Sequence, residues 1–249
     1  MDLGIKNKVA LVTAASQGLG KASAIELANE GVKLAICSRD QDKINQTAEE
    51  IQNLTGGEVL AVKADLDSTD DIENLIKEIE NKFNTVDILV NNTGGPKAGF
   101  FDDLSDEDWL KTFESTFLSA VRVTRKVLPF MKKNKWGRII NISSVSAKQP
   151  IDNLMLSNGV RMSIHGWAKT LSNQVASENI LINNVCPGFT HTERVDGLIK
   201  AQVENSNSSR EDIIESIASD IPAKRVGQAN ELAALVVFLS SEKASYITG

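Results

Sequence analysis

The chain has 249 residues, 41% hydrophobic and 24% charged, the proportions of a soluble globular protein rather than a disordered one. Its 33 acids against 27 bases leave a net charge of −6, which argues against a nucleic-acid binder with its basic face. Cys37 and Cys186 each stand alone in an apolar stretch, and His165 and His191 lie far apart in sequence. Neither a disulfide framework nor a metal site is expected, and the thiols read as buried and inert in a reducing compartment.

The first ten residues carry charges and lack the apolar core of a signal peptide. The longest apolar run, Leu232 to Leu239, is far too short to cross a membrane. A cytoplasmic, soluble chain is the expectation.

Short apolar runs alternate with longer amphipathic stretches. The runs are Val9–Ala14, Leu34–Cys37, Val59–Val62, Val86–Val90, Arg138–Ile142 and Ile180–Val185. They are rich in Val, Ile and Leu without polar alternation, which predicts strands covered on both faces of a parallel sheet. Helices are predicted over Leu19–Asn29, Gln41–Leu54, Thr69–Lys82, Asp106–Lys133 and Ser157–Ser177, with Ser105 as an N-cap for the fourth. The alternation gives right-handed crossovers and a Rossmann-type, doubly wound α/β sheet of six strands with helices on both faces.

No linker divides the chain, so residues 1–249 read as one domain. A polar excursion from His191 to Ala223, containing Asn205–Ser209, reads as a lid-like insertion around 190–223 or as a plain surface insertion, before a final helix Asn230–Ser240. Ser245–Gly249 stands where a seventh strand would begin.

The first strand runs into Thr13-Ala14-Ala15-Ser16-Gln17-Gly18-Leu19-Gly20, and a helix follows. Glycines here let the backbone approach a pyrophosphate, and the helix N-terminus offers free N–H groups and positive dipole charge. The second strand ends in Ser38-Arg39-Asp40. An NAD site commonly places a carboxylate here, whereas a guanidinium suits a 2′-phosphate, so NADP(H) is expected over NAD(H).

With these residues in view, the whole chain resembles the short-chain dehydrogenase/reductase family. Its Thr-Gly-x3-Gly-x-Gly fingerprint is matched by Thr13 to Gly20, with Ala14 in place of the first glycine. Its Asn-Asn-Ala-Gly appears as Asn91-Asn92-Thr93-Gly94, and its Pro-Gly as Pro187-Gly188 followed by Phe189 and Thr192. The resemblance implies a dinucleotide held by Thr13, Ser16, Gly18, Leu19, Gly20, Ser38, Arg39, Asp65, Leu66, Asn91, Thr93, Gly94, Arg161, Pro187, Gly188, Phe189 and Thr192. Asp65 falls where an acid reaches the adenine, and Thr192 where a threonine holds the nicotinamide carboxamide.

The family's catalytic serine is matched by Ser144. Ser157 occupies the position of its proton-donating tyrosine, Arg161 that of its lysine four residues on, and Thr116 that of its asparagine. Tyr246, the one tyrosine, lies near the far end of the chain. An aliphatic hydroxyl is a far weaker acid than a phenol, so Ser157 is poorly matched to proton donation. Arg161 can donate to ribose hydroxyls and a developing alkoxide but remains protonated.

His165 reads as a helix–helix contact and His191 as a surface histidine. Lys97, Lys148, Arg161 and Arg194 hint at a basic pocket for an anionic small-molecule substrate, against solvated loop charges. Two functions follow: an NADP(H)-dependent oxidoreductase acting on a carbonyl or alcohol, or a catalytically silent dinucleotide-binding sensor or scaffold. The family resemblance, with Val123, Val127, Trp167 and Leu171 read as outward-facing, implies a homotetramer.

Overall fold

The computed structural model describes residues 2–204, 206 and 208–249; Asn205 and Asn207, in the polar stretch noted above, lie outside the described residues. β1 (Val9–Val12), β2 (Lys33–Ser38), β3 (Val59–Lys63), β4 (Ile88–Asn91), β5 (Gly137–Ile142) and β6 (Ile180–Val185) form one parallel sheet in the order β3-β2-β1-β4-β5-β6. The chain winds outward to β3, then returns to pair β4 with β1 and winds the other way. The loops after β1 and β4 therefore diverge, opening a crevice at the carboxyl edge where such sheets bind ligands.

Alternate residues of each strand feed two cores. Ala10 and Val12 of β1, with Leu34, Ile36, Ile88, Val90 and Ile140, pack against α1 (Gly18–Asn29), α2 (Gln41–Thr55) and α9 (Ala229–Leu239). Leu11, with Ala35, Cys37, Leu89, Ile139 and Ile182, packs against α3 (Thr69–Phe83), α5 (Ser119–Asn134) and α6 (Met155–Val175). Each fully buried Leu or Ile adds roughly 1.5–3 kcal/mol, which is why apolar runs without alternation become central strands.

The helix boundaries have local causes. Asp40 and Ser68 accept from the main-chain N–H of Lys43 and Asp71 to start α2 and α3, which stop at left-handed Gly56 and Asn84. Ser105 caps α4 (Asp106–Thr112) as predicted, in a reciprocal box with Asp108.

Several expectations need correction. The helix predicted over Asp106–Lys133 is divided: α4 leads through a π-helical stretch, Phe113–Leu118, into α5. The wider turn stacks Phe113 on Phe117 with ring centroids 4.9 Å apart, while Thr112, Thr116 and Ser119 turn inward. β1 stops at Val12 because Ala14 adopts a left-handed backbone, φ 46°. Val123 and Val127 are not outward: they are 1% and 0% exposed against the sheet. The exposed apolar residues nearby are instead Leu110, Phe113 and Met162.

Residues 190–223 hold α7 (Glu193–Glu204) and α8 (Arg210–Asp220). At the end of the chain, the Gly249 N–H donates to the Ile182 carbonyl at 2.7 Å and Ile182 N–H to Thr248 Oγ1 at 3.1 Å, along the free edge of β6. No helix among the described residues is long and apolar enough to cross a membrane, and no group of three His, Cys, Asp or Glu side chains could hold a metal ion.

Candidate active site

The carboxyl ends of β1, β2, β4, β5 and β6 open into a cavity of about 820 Å³. Its floor is held by side chains that tie the strands together. Thr13 Oγ1 donates to the Asn92 carbonyl at 2.7 Å and accepts from the Asn92 N–H at 2.8 Å, clamping the β1 loop to the β4 loop. Asn91 donates to Asn141 Oδ1 and Asn141 to Asn184 Oδ1, both at 2.9 Å, an amide ladder across β4, β5 and β6.

At the β1–β2 end, Ser16, Gly18 and Leu19 form the wall. Gly20 stands behind it: a Cβ there would meet the Ala14 carbonyl oxygen at 2.6 Å and Asn92 Nδ2 at 2.7 Å. Glycine is thus what lets α1 start this close to β1. Gln17, the α1 N-cap, makes no side-chain cap, so no capping side chain claims the first-turn N–H groups, and Gln17, Gly18 and Leu19 line the cavity. Beside them lie Ser38, exposed Arg39, Lys43, Asp65 and Leu66. Burial and the neighbouring Asp65 charge push the Asp67 carboxyl above its usual range.

At the β5–α6 end, Ser144 Oγ accepts from the Ser146 N–H at 3.0 Å. Ser157 and Ser146 share a buried hydrogen bond of 2.9 Å. Arg161, 6% exposed, donates from Nη1 to the Ile142 and Ser143 carbonyls at 3.1 and 3.0 Å. Burial, and then the charge of Arg194, lower Arg161 to about 10. One turn on, His165 Nε2 and Ser143 Oγ share a hydrogen bond of 3.0 Å, with Cys186 Sγ 3.7 Å from the same nitrogen. Burial and nearby Lys148 lower the imidazole pKa, and burial raises that of the Cys186 thiol.

Of the residues expected to touch a ligand, Thr93, Gly94, Pro187, Gly188, Phe189 and Thr192 complete the wall with Ser144, Ser157 and Arg161. Thr13, Gly20, Asn91 and Thr116 do not reach it; they shape it from behind, and Thr116 is buried in the π-helical turn. His165 bonds to Ser143 in the loop after β5, because positions 157, 161 and 165 share the face turned to that strand end and its loop. Lys148 is exposed outside the cavity, and Lys97 is paired with Asp108 at 2.9 Å. Cys186 is only partly buried, unlike Cys37. Sequence reasoning missed the Ser143–His165 pair, although the spacing of Arg161 and His165 carried the signal, and missed Arg194 lying across Gly95.

Fold and cavity together define a Rossmann-type α/β protein with its cavity at the point where strand order reverses, where such sheets bind ligands. Residues 8–202 match the short chain dehydrogenase family, to which the chain belongs. It is 35% identical to the NADPH-dependent reductase BacG of Bacillus subtilis (strain 168), over 98% of this chain and 95% of that one. Among solved structures, L-sorbose reductase from Gluconobacter frateurii, complexed with NADPH and L-sorbose, superposes with a TM-score of 0.95 at 30% identity, covering 100% of this chain and 95% of that one. An actinorhodin polyketide ketoreductase with NADPH gives 0.93 at 31% identity, covering 97% and 93%.

Proposed function

We propose that the protein is an NADP(H)-dependent oxidoreductase interconverting a carbonyl compound and an alcohol. One observation carries this reading: a single cavity joins the Gly18–Leu19 wall and Arg39 to Ser144 and Arg161. The dinucleotide fits the donors present, since the uncapped first turn of α1 suits a pyrophosphate and Arg39, unpaired among the described residues, suits a 2′-phosphate. The three reductases compared above carry NADPH in their names or their structures.

In this reading Ser16, Gly18 and Leu19 hold phosphate, Ser38 and Arg39 the 2′-phosphate, and Asp65 and Leu66 the adenine. Thr93 and Gly94 flank the ribose, and Pro187, Gly188, Phe189 and Thr192 fix the carboxamide. The nicotinamide, when bound, supplies or takes the hydride.

Ser144 accepts from the Ser146 N–H, so its own O–H is free to polarise a carbonyl. Arg161 stays charged near neutral pH and stabilises a developing alkoxide. Ser157 already shares its hydroxyl with Ser146 and is a weak acid, so the proton comes from water. The active site is thus altered from the family's, and losing general acid catalysis costs about 10²–10⁴ in rate.

That same Ser146–Ser157 bond, with Arg161 fastened to the main chain, favours a second reading, a silent dinucleotide-binding protein. We further propose that α7 and α8 act as a lid. The exposed Leu110, Phe113 and Met162 are proposed to pair subunits of a homotetramer.

Calorimetry with both oxidised cofactors tests the cofactor reading. NADP⁺ is expected to bind more tightly than NAD⁺, and Arg39→Ala to weaken NADP⁺ alone by about 1.5–3 kcal/mol. Equal affinities unchanged by Arg39→Ala would overturn it. NADPH oxidation over a ketone panel separates enzyme from silent binder.

A further inference from the structure

The charges around the cavity are not evenly answered. Lys97 is paired with Asp108, and Lys43 sits beside Asp40 at 3.7 Å. Arg161 and Arg194, both on the wall, take part in no ion pair among the described residues.

Arg194 lies across the rim. From the first turn of α7 its Nη2 donates to the Pro96 carbonyl at 2.6 Å, in the loop after β4. A Cβ on Gly95 would stand 2.5 Å from Arg194 Nε, so the missing side chain at 95 is what seats the guanidinium there. Arg161 lies deeper, with only Nη1 bonded to protein. The one fully enclosed side-chain N or O without a hydrogen bond among the described residues is Arg138 Nη2. The free N–H groups of Arg161 are therefore not sealed in protein, and the cavity is what they meet.

Two guanidiniums facing one partly desolvated space repel until an anion joins them, and a carboxylate there gains charge-assisted hydrogen bonds. Beside them the wall is apolar, with Ile151, Leu154 and Leu198. We infer that the substrate is an oxo acid: a carbonyl compound whose carboxylate is held by Arg194, with Arg161 as the second charge, and whose carbon body lies on this apolar wall. The inference deepens the reductase reading and rests on it for the carbonyl. The start of α7 also lies against the α1 N-terminus, with Thr192 and Glu193 within 4 Å of a Cβ on Gly18, so the test is run with NADPH already bound to keep the cofactor's phosphates apart from a substrate carboxylate.

The test uses the protein loaded with NADPH. The 2-oxo, 3-oxo and 4-oxo hexanoates and their methyl esters are titrated against the fluorescence of bound NADPH, and NADPH oxidation is followed in parallel. At least one acid should bind about 10- to 100-fold more tightly than its ester. Arg194→Gln should bring that ratio near one while NADPH affinity holds, and Gly95→Ala should reduce it by pushing the guanidinium off its seat. Esters bound as tightly as acids, no binding of either, or an Arg194→Gln variant that loses NADPH affinity instead, would each overturn the inference. Acid binding through Arg194 without NADPH oxidation would leave the carboxylate site standing and remove the reductase reading. Equal reduction of acids and esters would do the reverse.

Discussion

At the β1–β2 end of the cavity the wall is backbone and outward-facing charge; at the β5–α6 end it is short hydroxyls and a guanidinium bonded to one another. The first end keeps its donors free, with an uncapped α1 and an unpaired Arg39. The second has spent many of its own, in Ser146–Ser157, Arg161 on two carbonyls and Ser143–His165. A region built from main-chain geometry tolerates few changes, because a Cβ on Gly20 would meet the Ala14 carbonyl and Gly18 holds a left-handed backbone. A region built from side chains can be rewritten one hydrogen bond at a time while the fold survives.

The sharpest way to break this contrast is to rebuild the second end. Ser157→Tyr with Arg161→Lys restores an acid and an ammonium to tune it, and turnover on simple ketones is expected to rise by about 10²–10⁴. Each single change should do much less, because the two act as a unit. Steady-state kinetics on a ketone panel measures this; robust wild-type turnover that the double change abolishes would show that the proton comes from elsewhere.

Gly20→Ala tests the first end. Its Cβ would collide with the Ala14 carbonyl, so denaturant titration should show a loss of about 1–3 kcal/mol, together with weakened NADP⁺ binding. Ser157→Ala is the milder counterpart: it takes away the partner of the Ser146 hydroxyl and should cost about 1 kcal/mol while NADP⁺ affinity is unchanged.

The smallest effect is a pH dependence. Burial lowers the His165 pKa from the usual 6.5, so the unfolded chain takes up a proton first as pH falls. The stability tied to the neutral imidazole is full above about pH 7 and declines as pH drops through 6.5 toward the folded value. His165→Asn should flatten the midpoint of denaturation between pH 7 and 5, and an unchanged slope would show that the Ser143–His165 bond does not report protonation.

The order of the strands was legible in the sequence because each strand feeds both cores and so lacks polar alternation, whereas α7 and α8 were not, since their polar segment shows no such apolar periodicity. The Gly18–Leu19 wall of the cavity was legible as a strand-to-helix turn, with Gly20 behind it. Arg194 was read only as one of several loop charges, because its seat depends on Gly95, 99 positions away, leaving room for its guanidinium. Val123 and Val127 were misplaced because amphipathic spacing gives a helix an apolar face without saying which neighbour it meets. The π-helical turn at Phe113–Leu118 then rotates α5 relative to α4.

The amide ladder Asn91–Asn141–Asn184 has a consequence for how the molecule comes together. Its rungs join residues 50 and 43 positions apart, and the Thr13–Asn92 clamp joins residues 79 apart. Contacts of such separation close late, after the loop entropy between them has been overcome. The strand pairings β1–β4, β4–β5 and β5–β6 span the same separations, so the cavity floor closes together with them as one unit. A ligand seated on this floor is held by all four of these strands at once, so its binding is expected to stabilise the assembled sheet as a whole.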